Sequence, residues 1–507
     1  MISISQFSTI DRWHGSPTTY YALLQVWQIS TGVLVRWENL RYHNRDASWR
    51  FLVDRRDFIK TACGAAAGMA FMGGFPFISR GATERPNIIF ILSDDHRYDA
   101  FGFMDKPWLK TPNMDRLAAE GVHFTNSFVT TSLCSPSRAS FLTGQYAARH
   151  GVQNNRTPWQ DGNFTYMELL HAAGYHTGFM GKWHMPGKLP DFKAQGKMDR
   201  FVTFHGQGRY FDCPLIIDGG EKKQDGYITD VLTDYALDFL DGRKNKPFCL
   251  YLSHKAVHHE FIPPSRYRGK LDGMKLHPKE KPMIHPVGDV HKYQYDHFEE
   301  NQQGYYEALM AVDDSVGRVL GYLDEKGMAE NTLIVYAGDN GYYWGEHGLI
   351  DKRYAYEEGI RIPHLMRYPR ALPDGGKKVD EMVLNIDLAP TVLSAAGLAV
   401  PGRVQGKSYL ELAEGKDVSW RDSWLYEYYE DYNFPHPPCM ALRTRDWKLI
   451  RYKKGKQVIN CHERWPDEMF NIARDPHEKN DLTKDPAYAD KKKELTEEMK
   501  RLYKEIS

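Results

Sequence analysis

Three short stretches of this chain, Asn87–Leu92, Phe248–Leu252 and Leu333–Tyr336, are almost continuously apolar. A strand with one face in water alternates apolar and polar residues, so runs like these belong to strands covered on both faces. Between them the spacing turns helical. Thr111-Pro112 reads as an N-cap and first-turn proline ahead of Met114–Ala119. From Tyr305 to Leu323 apolar residues recur at helical intervals, up to Gly327. Strands alternating with helices predict an α/β domain built on a large, mostly parallel sheet flanked by helices. From about residue 400 the pattern changes to shorter aromatic-rich segments, Trp424–Tyr429 and Trp447–Tyr452, and then to the charged stretch Ala487–Glu505. These predict a smaller antiparallel sheet and a terminal helix. The expected organisation is a main domain over 83–399 and a C-terminal α+β subdomain over 400–507, which a chain of 507 residues can accommodate.

The N-terminus carries an address. Asp54-Arg55-Arg56-Asp57-Phe58-Ile59-Lys60 is a twin-arginine pair followed by apolar residues, and a Gly/Ala-rich stretch runs from Thr61 to about Ser79. Residues 53–82 therefore read as a twin-arginine signal peptide recognised by the export machinery and then removed. A membrane anchor needs about 20 strongly apolar residues, which so many Gly and Ala do not provide. Lys60, three positions before Cys63, argues against a lipoprotein signal. Residues 1–52 have no clear periodicity and are expected to be a non-native extension, with translation starting near Val53. Export implies a periplasmic or secreted protein in an oxidising compartment. Of the six cysteines, Cys63 lies in the signal, Cys249 sits in an apolar run and reads as a buried thiol, and Cys439 and Cys461 have the option of pairing. Lys+Arg and Asp+Glu both number 66, so no basic excess points to nucleic acid.

Two strands end in oxygen donors. The first apolar run leads into Asp94-Asp95, and the last ends in Gly338-Asp339-Asn340-Gly341. In open α/β sheets the active site gathers beyond the carboxyl ends of the strands. Either pair alone would be an ordinary cap or turn. Together they offer three carboxylates and an amide oxygen, the hard ligand set that calcium takes. No Cys/His cluster has zinc-like spacing.

The sharpest signal is Cys134-Ser135-Pro136-Ser137-Arg138, followed by Ala139-Ser140-Phe141-Leu142-Thr143-Gly144. It resembles the hallmark of the formylglycine-dependent sulfatases of the alkaline phosphatase superfamily, Cys-x-Pro-x-Arg followed by Thr-Gly. Further segments resemble the family in the same order: Gly181-Lys182-Trp183-His184, His254-Lys255-Ala256-Val257-His258 (with Val257 where many relatives have proline), Asp351–Glu358 ahead of Arg361-Ile362-Pro363, and Phe470–Leu482. The likeness runs from about Pro86 to Leu482. It implies that residues 83–399 are a catalytic sulfatase domain, and that a formylglycine-generating maturation enzyme oxidises Cys134 to an aldehyde (3-oxoalanine). One hydroxyl of the aldehyde hydrate attacks sulfur, and the other later expels sulfate by re-forming the carbonyl.

The resemblance also implies the site. Asp94, Asp95, Asp339 and Asn340 bind calcium, with Asp339 assisting loss of the attacking hydroxyl's proton. Arg138 fixes the modified residue. His258, helped by Lys352, protonates the leaving oxygen, and His184, aided by Lys182, removes the second hydroxyl's proton. Gly345-Glu346-His347-Gly348, and Glu427-Tyr428-Tyr429 before Phe434-Pro435, look most like carbohydrate sulfatases of the N-acetylglucosamine-6-sulfatase type. The implied substrate is a sulfated carbohydrate, with His347, Tyr428 and Trp447 placed either against sugar rings or in packing. Two other readings stand beside this one: a formylglycine-dependent phosphonate monoester hydrolase or phosphodiesterase, and an unmodified protein that only binds sulfated glycans.

Overall fold

The computed structural model describes residues 85–276, 296–431, 436–452 and 466–506, and a few two-residue strands between Tyr21 and Arg41. The twin-arginine segment, Cys63, Phe434-Pro435 and Cys461 lie outside the described residues, as does most of 1–52.

The main sheet has ten strands. In chain order they are β1 Asn87–Ser93, β2 Val122–Phe124, β3 His176–Gly181, β4 Arg200–Thr203, β5 Leu215–Ile217, β6 Gly220–Lys222, β7 Phe248–Ser253, β8 Thr332–Gly338, β9 His364–Arg367 and β10 Lys377–Val379. Across the sheet they run β6-β5-β4-β3-β7-β1-β8-β9-β2-β10. The five central strands, β4 to β8, are parallel. Antiparallel pairs appear only outside them, at β6-β5, β5-β4, β8-β9 and β9-β2. The three apolar runs are the three innermost strands, β7, β1 and β8.

Their alternate residues enter two different cores. Ile89, Ile91, Leu250, Leu252, Ile334 and Tyr336 face one side, under helices Pro112–Ala119 (α1), Ile228–Asp241 and Phe298–Glu325. Ile88, Phe90, Leu92, Cys249, Tyr251, Leu333 and Val335 face the other, under Cys134–Thr143 (α2), Tyr166–Ala172 and Leu388–Ala395. Each strand residue is thus apolar because each face has its own helix layer. Thr111 precedes α1 but makes no capping bond to its backbone; its hydroxyl instead donates to the Asp115 carboxylate at 2.8 Å.

The C-terminal sheet has four antiparallel strands, β11 Ser423–Tyr428, β12 Cys439–Thr444, β13 Trp447–Tyr452 and β14 Glu468–Asn471. The terminal helix Ala489–Ile506 covers it with Leu495, Met499 and Ile506. Phe128, Tyr343, Tyr354 and Ile360 join the same core, so this small sheet packs against the loops above β8. Cys213, Cys249 and Cys439 are buried, and among the described residues none of them forms a disulfide.

A buried ionic seam also ties the small sheet to the helix turn Glu357–Ile360 and to the closing segment. The Lys448 ammonium, fully buried on β13, meets Glu357 at 2.9 Å and Glu478 at 2.7 Å. Burial works against Glu357, but Arg443 and Lys448 together hold its carboxyl well below the usual range. Glu478 lies against Lys448 without an arginine, and burial pushes it up to about 7. Lys448→Met leaves two acids short of their cation, and we expect it to cost roughly 3–5 kcal/mol of unfolding free energy. The loss should be smaller at pH 6 than at pH 8 in urea titrations, because protonating Glu478 removes one buried charge.

Candidate active site

The site lies where the central strands end. β1 delivers Asp94 and Asp95, β8 delivers Asp339 and Asn340, β3 leads into Lys182 and His184, and β7 leads towards His258. Backbone hydrogen bonds knit these exits together: Asp94 N–H to the Ala256 carbonyl at 2.9 Å, Asp339 N–H to Ser93 at 2.9 Å and Lys182 N–H to Ser253 at 2.8 Å. Gly181 is required there, because a Cβ would lie 1.8 Å from the Ser253 carbonyl oxygen and φ is +120°.

Cys134 begins α2, whose preceding residue, Leu133, is extended and offers no side-chain cap. The Ser135 N–H donates instead to Asn155 Oδ1 at 3.0 Å. With its first residue beside Asp94, the positive end of the helix lies next to that carboxylate. The Cys134 sulfur lies 3.6 Å from Asp94 Oδ1 and 3.4 Å from Lys352 Nζ. Burial, reinforced by Asp94, pushes the thiol up to about 12 despite Lys182 and Lys352.

Arg138, one turn along α2, is the cross-brace. Its guanidinium reaches Asp339 at 2.8 and 2.9 Å, Asp94 at 3.2 Å, the Lys182 carbonyl at 2.9 Å and the Ser253 hydroxyl at 2.6 Å. Lys182 pairs with Asp94, and Lys352 with Asp95. Burial raises Asp94, but Lys182 and Arg138 outweigh it and hold the carboxyl well below the usual range. Asp95, with Lys352 as its main cation, is pushed up to about 7 by burial. Burial, aided by Asp94, also raises Asp339.

All ten residues named from the sequence converge. Eight are at most 2% exposed; His184 and His258 are half-buried. His184 accompanies Ser135, whose hydroxyl donates to the His184 carbonyl at 2.8 Å. His258 Nε2 lies 4.0 Å from Asp95 Oδ2. Burial and Lys182 together push both imidazoles well below their ordinary value. Asp94, Asp95 and Asp339 each offer an oxygen within 4.8 Å of the others. The Asn340 amide donates to Asp95 at 2.6 Å, while its own buried oxygen has no hydrogen-bond partner. Three carboxylates and an orphaned amide oxygen suit a hard cation such as calcium.

The side chains expected against sugar or in packing turn to packing. Tyr428 is 2% exposed and edge-on to His436. His347 stacks on Tyr356 at 4.1 Å and pairs with Glu358. Trp447 packs on Tyr488. Sequence reasoning missed Ser253, whose hydroxyl joins Arg138 to the Lys182 carbonyl. It also missed Tyr305, whose hydroxyl donates to the Asp95 carbonyl at 2.8 Å. Ser253 directly follows an apolar run, a position that could have drawn notice, whereas Tyr305 looks like any core aromatic.

Comparison with known proteins agrees with this geometry. The sulfatase family model matches residues 86–398, and a model described as N-sulphoglucosamine sulphohydrolase, C-terminal, matches 345–505. The chain is 32% identical to an N-acetylglucosamine-6-O-sulfatase of Bacteroides thetaiotaomicron, over 83% of this chain and 88% of that protein. It is 31% identical to the human N-acetylglucosamine-6-sulfatase, over 75% and 74% of the two chains. A solved structure in complex with its substrate D-glucosamine-2-N,6-O-disulfate superposes with a TM-score of 0.75 at 30% identity, covering 83% of this chain and 98% of that one. With ten polar residues gathered at the ends of its central strands, this chain belongs to the sulfatase family, sulfuric ester hydrolases of the alkaline phosphatase superfamily.

Proposed function

We propose that the enzyme removes sulfate from carbohydrates, with N-acetylglucosamine 6-sulfate in a glycan as the first substrate to test. It would do so with a formylglycine derived from Cys134 and a calcium ion held by Asp94, Asp95, Asp339 and Asn340. The observation that carries this reading is the state of Cys134. A buried thiol pushed up to about 12 stays protonated at neutral pH and is a poor nucleophile, yet the Lys352 ammonium lies 3.4 Å from it and Lys182 acts on it, cations suited to a sulfate ester. An aldehyde at this position supplies hydrated oxygens as nucleophile and as the means of release, and the calcium supplies positive charge for a sulfate oxygen. The substrate class rests on the relatives, which include the bacterial N-acetylglucosamine-6-O-sulfatase and the structure bound to a sulfated glucosamine.

The chain's own residues then divide the work. Arg138 holds Asp94 and Asp339 in place around position 134. Lys182 and Lys352 stabilise negative charge that grows on the departing sulfate. Asp339, its carboxyl raised by burial and Asp94, assists proton loss at position 134. His258 gives a proton to the leaving oxygen, and His184 accepts one during sulfate release. The neutral state that burial favours in both imidazoles suits acceptance by His184; for His258, a bound anionic sulfate ester offsets the neighbouring lysines and favours the protonated form. Among the described residues no helix is long and apolar enough to cross a membrane. Delivery to the periplasm or beyond, by the twin-arginine machinery and after maturation of Cys134, belongs to the same proposal.

The test begins with the tryptic peptide Leu117–Arg138 of protein purified from its native host. We expect a mass loss corresponding to conversion of thiol to aldehyde, trapped by a carbonyl reagent. An intact thiol in active material would overturn the mechanism. Turnover of sulfated sugars should also exceed that of phosphodiesters and phosphonate monoesters. The opposite ranking would assign the chemistry to phosphorus.

A further inference from the structure

The segment after β7 holds a second layer of contacts that the roles above leave unused. Its backbone is stapled to β1: His254 N–H donates to Leu92 at 2.8 Å, and Val257 N–H to Asp94 at 2.8 Å. The Ala256–Val257 peptide is cis. Beyond this staple, the orientation of His258 depends on side chains brought from elsewhere.

His258 Nδ1 lies 2.7 Å from the His259 carbonyl oxygen. A carbonyl only accepts, so Nδ1 carries the proton and Nε2 is the nitrogen left for the site. Two buried residues hold the carbonyls on either side. Tyr210, from the loop between β4 and β5, is 1% exposed and donates its hydroxyl to the His258 carbonyl at 2.5 Å. Lys255, also 1% exposed, donates its ammonium to the His259 carbonyl at 3.3 Å. The same ammonium lies 4.6 Å over the Tyr210 ring, so the two residues brace each other by a cation–π contact.

Lys255 forms no ion pair among the described residues; Asp94, Glu260 and Asp95 act on it only at longer range, and burial, with Lys182 nearby, outweighs them and pulls it down to about 8. A buried ammonium without a carboxylate in contact is costly. Such costs concentrate where function requires them. An apolar residue of similar length would fill the space without that cost, so packing alone does not explain a lysine here.

We propose that Tyr210 and Lys255 are positioning residues for His258, which fix its tautomer and direct Nε2 at the oxygen of the departing alcohol. The proposal rests on reading His258 as the leaving-group acid, and deepens it. A ring held in one orientation transfers its proton without first having to be ordered, whereas a loosened ring loses part of the advantage of general acid catalysis.

The experiment compares Tyr210→Phe, Lys255→Met and His258→Ala with the mature enzyme, on N-acetylglucosamine 6-sulfate and on p-nitrophenyl sulfate. The sugar alkoxide needs the proton, whereas nitrophenolate leaves largely without it. For Tyr210→Phe and Lys255→Met we expect kcat on the sugar sulfate to fall about tenfold, with KM changed less than about twofold. On the aryl sulfate, kcat should fall by less than about twofold. His258→Ala should show the same selectivity, more strongly. If His258→Ala is selective for the poor leaving group while Tyr210→Phe and Lys255→Met lower both substrates equally or neither, the positioning role is overturned and the role of His258 stands. If His258→Ala itself slows both substrates equally, the acid has been misassigned and the positioning proposal falls with it.

Discussion

Cys134→Ala should lower kcat on an activated aryl sulfate by a factor on the order of 10⁵, the scale seen when a covalent nucleophile is deleted. The thermal midpoint should move little, because neither the protonated thiol nor the aldehyde made from it is charged, and its removal leaves the charge balance intact. Arg138 keeps its bonds to Asp94 and Asp339, and Lys352 keeps Asp95. Loss of activity with an unchanged melting curve therefore separates chemistry from folding. Arg138→Met is the informative contrast. It should be as inactive but less stable, because Asp94 and Asp339 would lose a shared buried cation. Residual turnover by Cys134→Ala above about a hundredth of the starting value would place the nucleophile elsewhere.

The parts of this molecule legible in its sequence are those whose signal is local. β1, β7 and β8 announce themselves because both faces are buried, so no polar residue interrupts them. The metal-ligand candidates follow from these strands, since Asp94-Asp95 and Asp339-Asn340 are simply where two of them stop. Cys134 is different: its helix is buried all round and has no amphipathic pattern, so only the motif drew attention to it. Short outer strands such as Leu215–Ile217 and Gly220–Lys222 carry too few residues for any period to register. Sidedness was also hidden. Tyr428 and His347 look like exposed aromatic and polar groups in the sequence, yet the small sheet and Tyr356 cover them. Lys448 and Glu478 form the converse case: isolated charges in the sequence become a buried pair because β13 and the closing segment fold onto one helix turn, Glu357–Ile360. Tyr210 reaches His258 across 48 residues of chain, and nothing in its neighbours foretells that contact.

Calcium should bind and stabilise the chelator-treated protein, and the effect should depend on pH in a direction set by Asp95. Its carboxyl is pushed up to about 7, mainly by burial, above the value of about 3.9 expected in the unfolded chain. For such a group the folded state gains most from protonation. Its contribution to stability is therefore present below about pH 4 and is lost as pH rises through 7. Calcium reverses this, because it requires the ionised carboxylate. Between pH 5 and 7 one proton must leave Asp95 for each ion bound, so the apparent Kd should rise about tenfold for each unit below 7. At pH 8, calcium at a hundred times its Kd should add about 2.7 kcal/mol to the unfolding free energy. The gain should shrink steadily on acidification at the same total calcium. Thermal melts with and without calcium at pH 5.5, 6.5 and 8 measure this directly. Asn340→Leu, which keeps the volume but removes both the orphaned amide oxygen and the N–H that Asp95 accepts, should weaken calcium binding and move the titration to higher pH, with the slope unchanged because the titrating group is still Asp95. A calcium shift of equal size at all three pH values would mean that Asp95 is not a ligand, and no shift at pH 8 would remove calcium from this site.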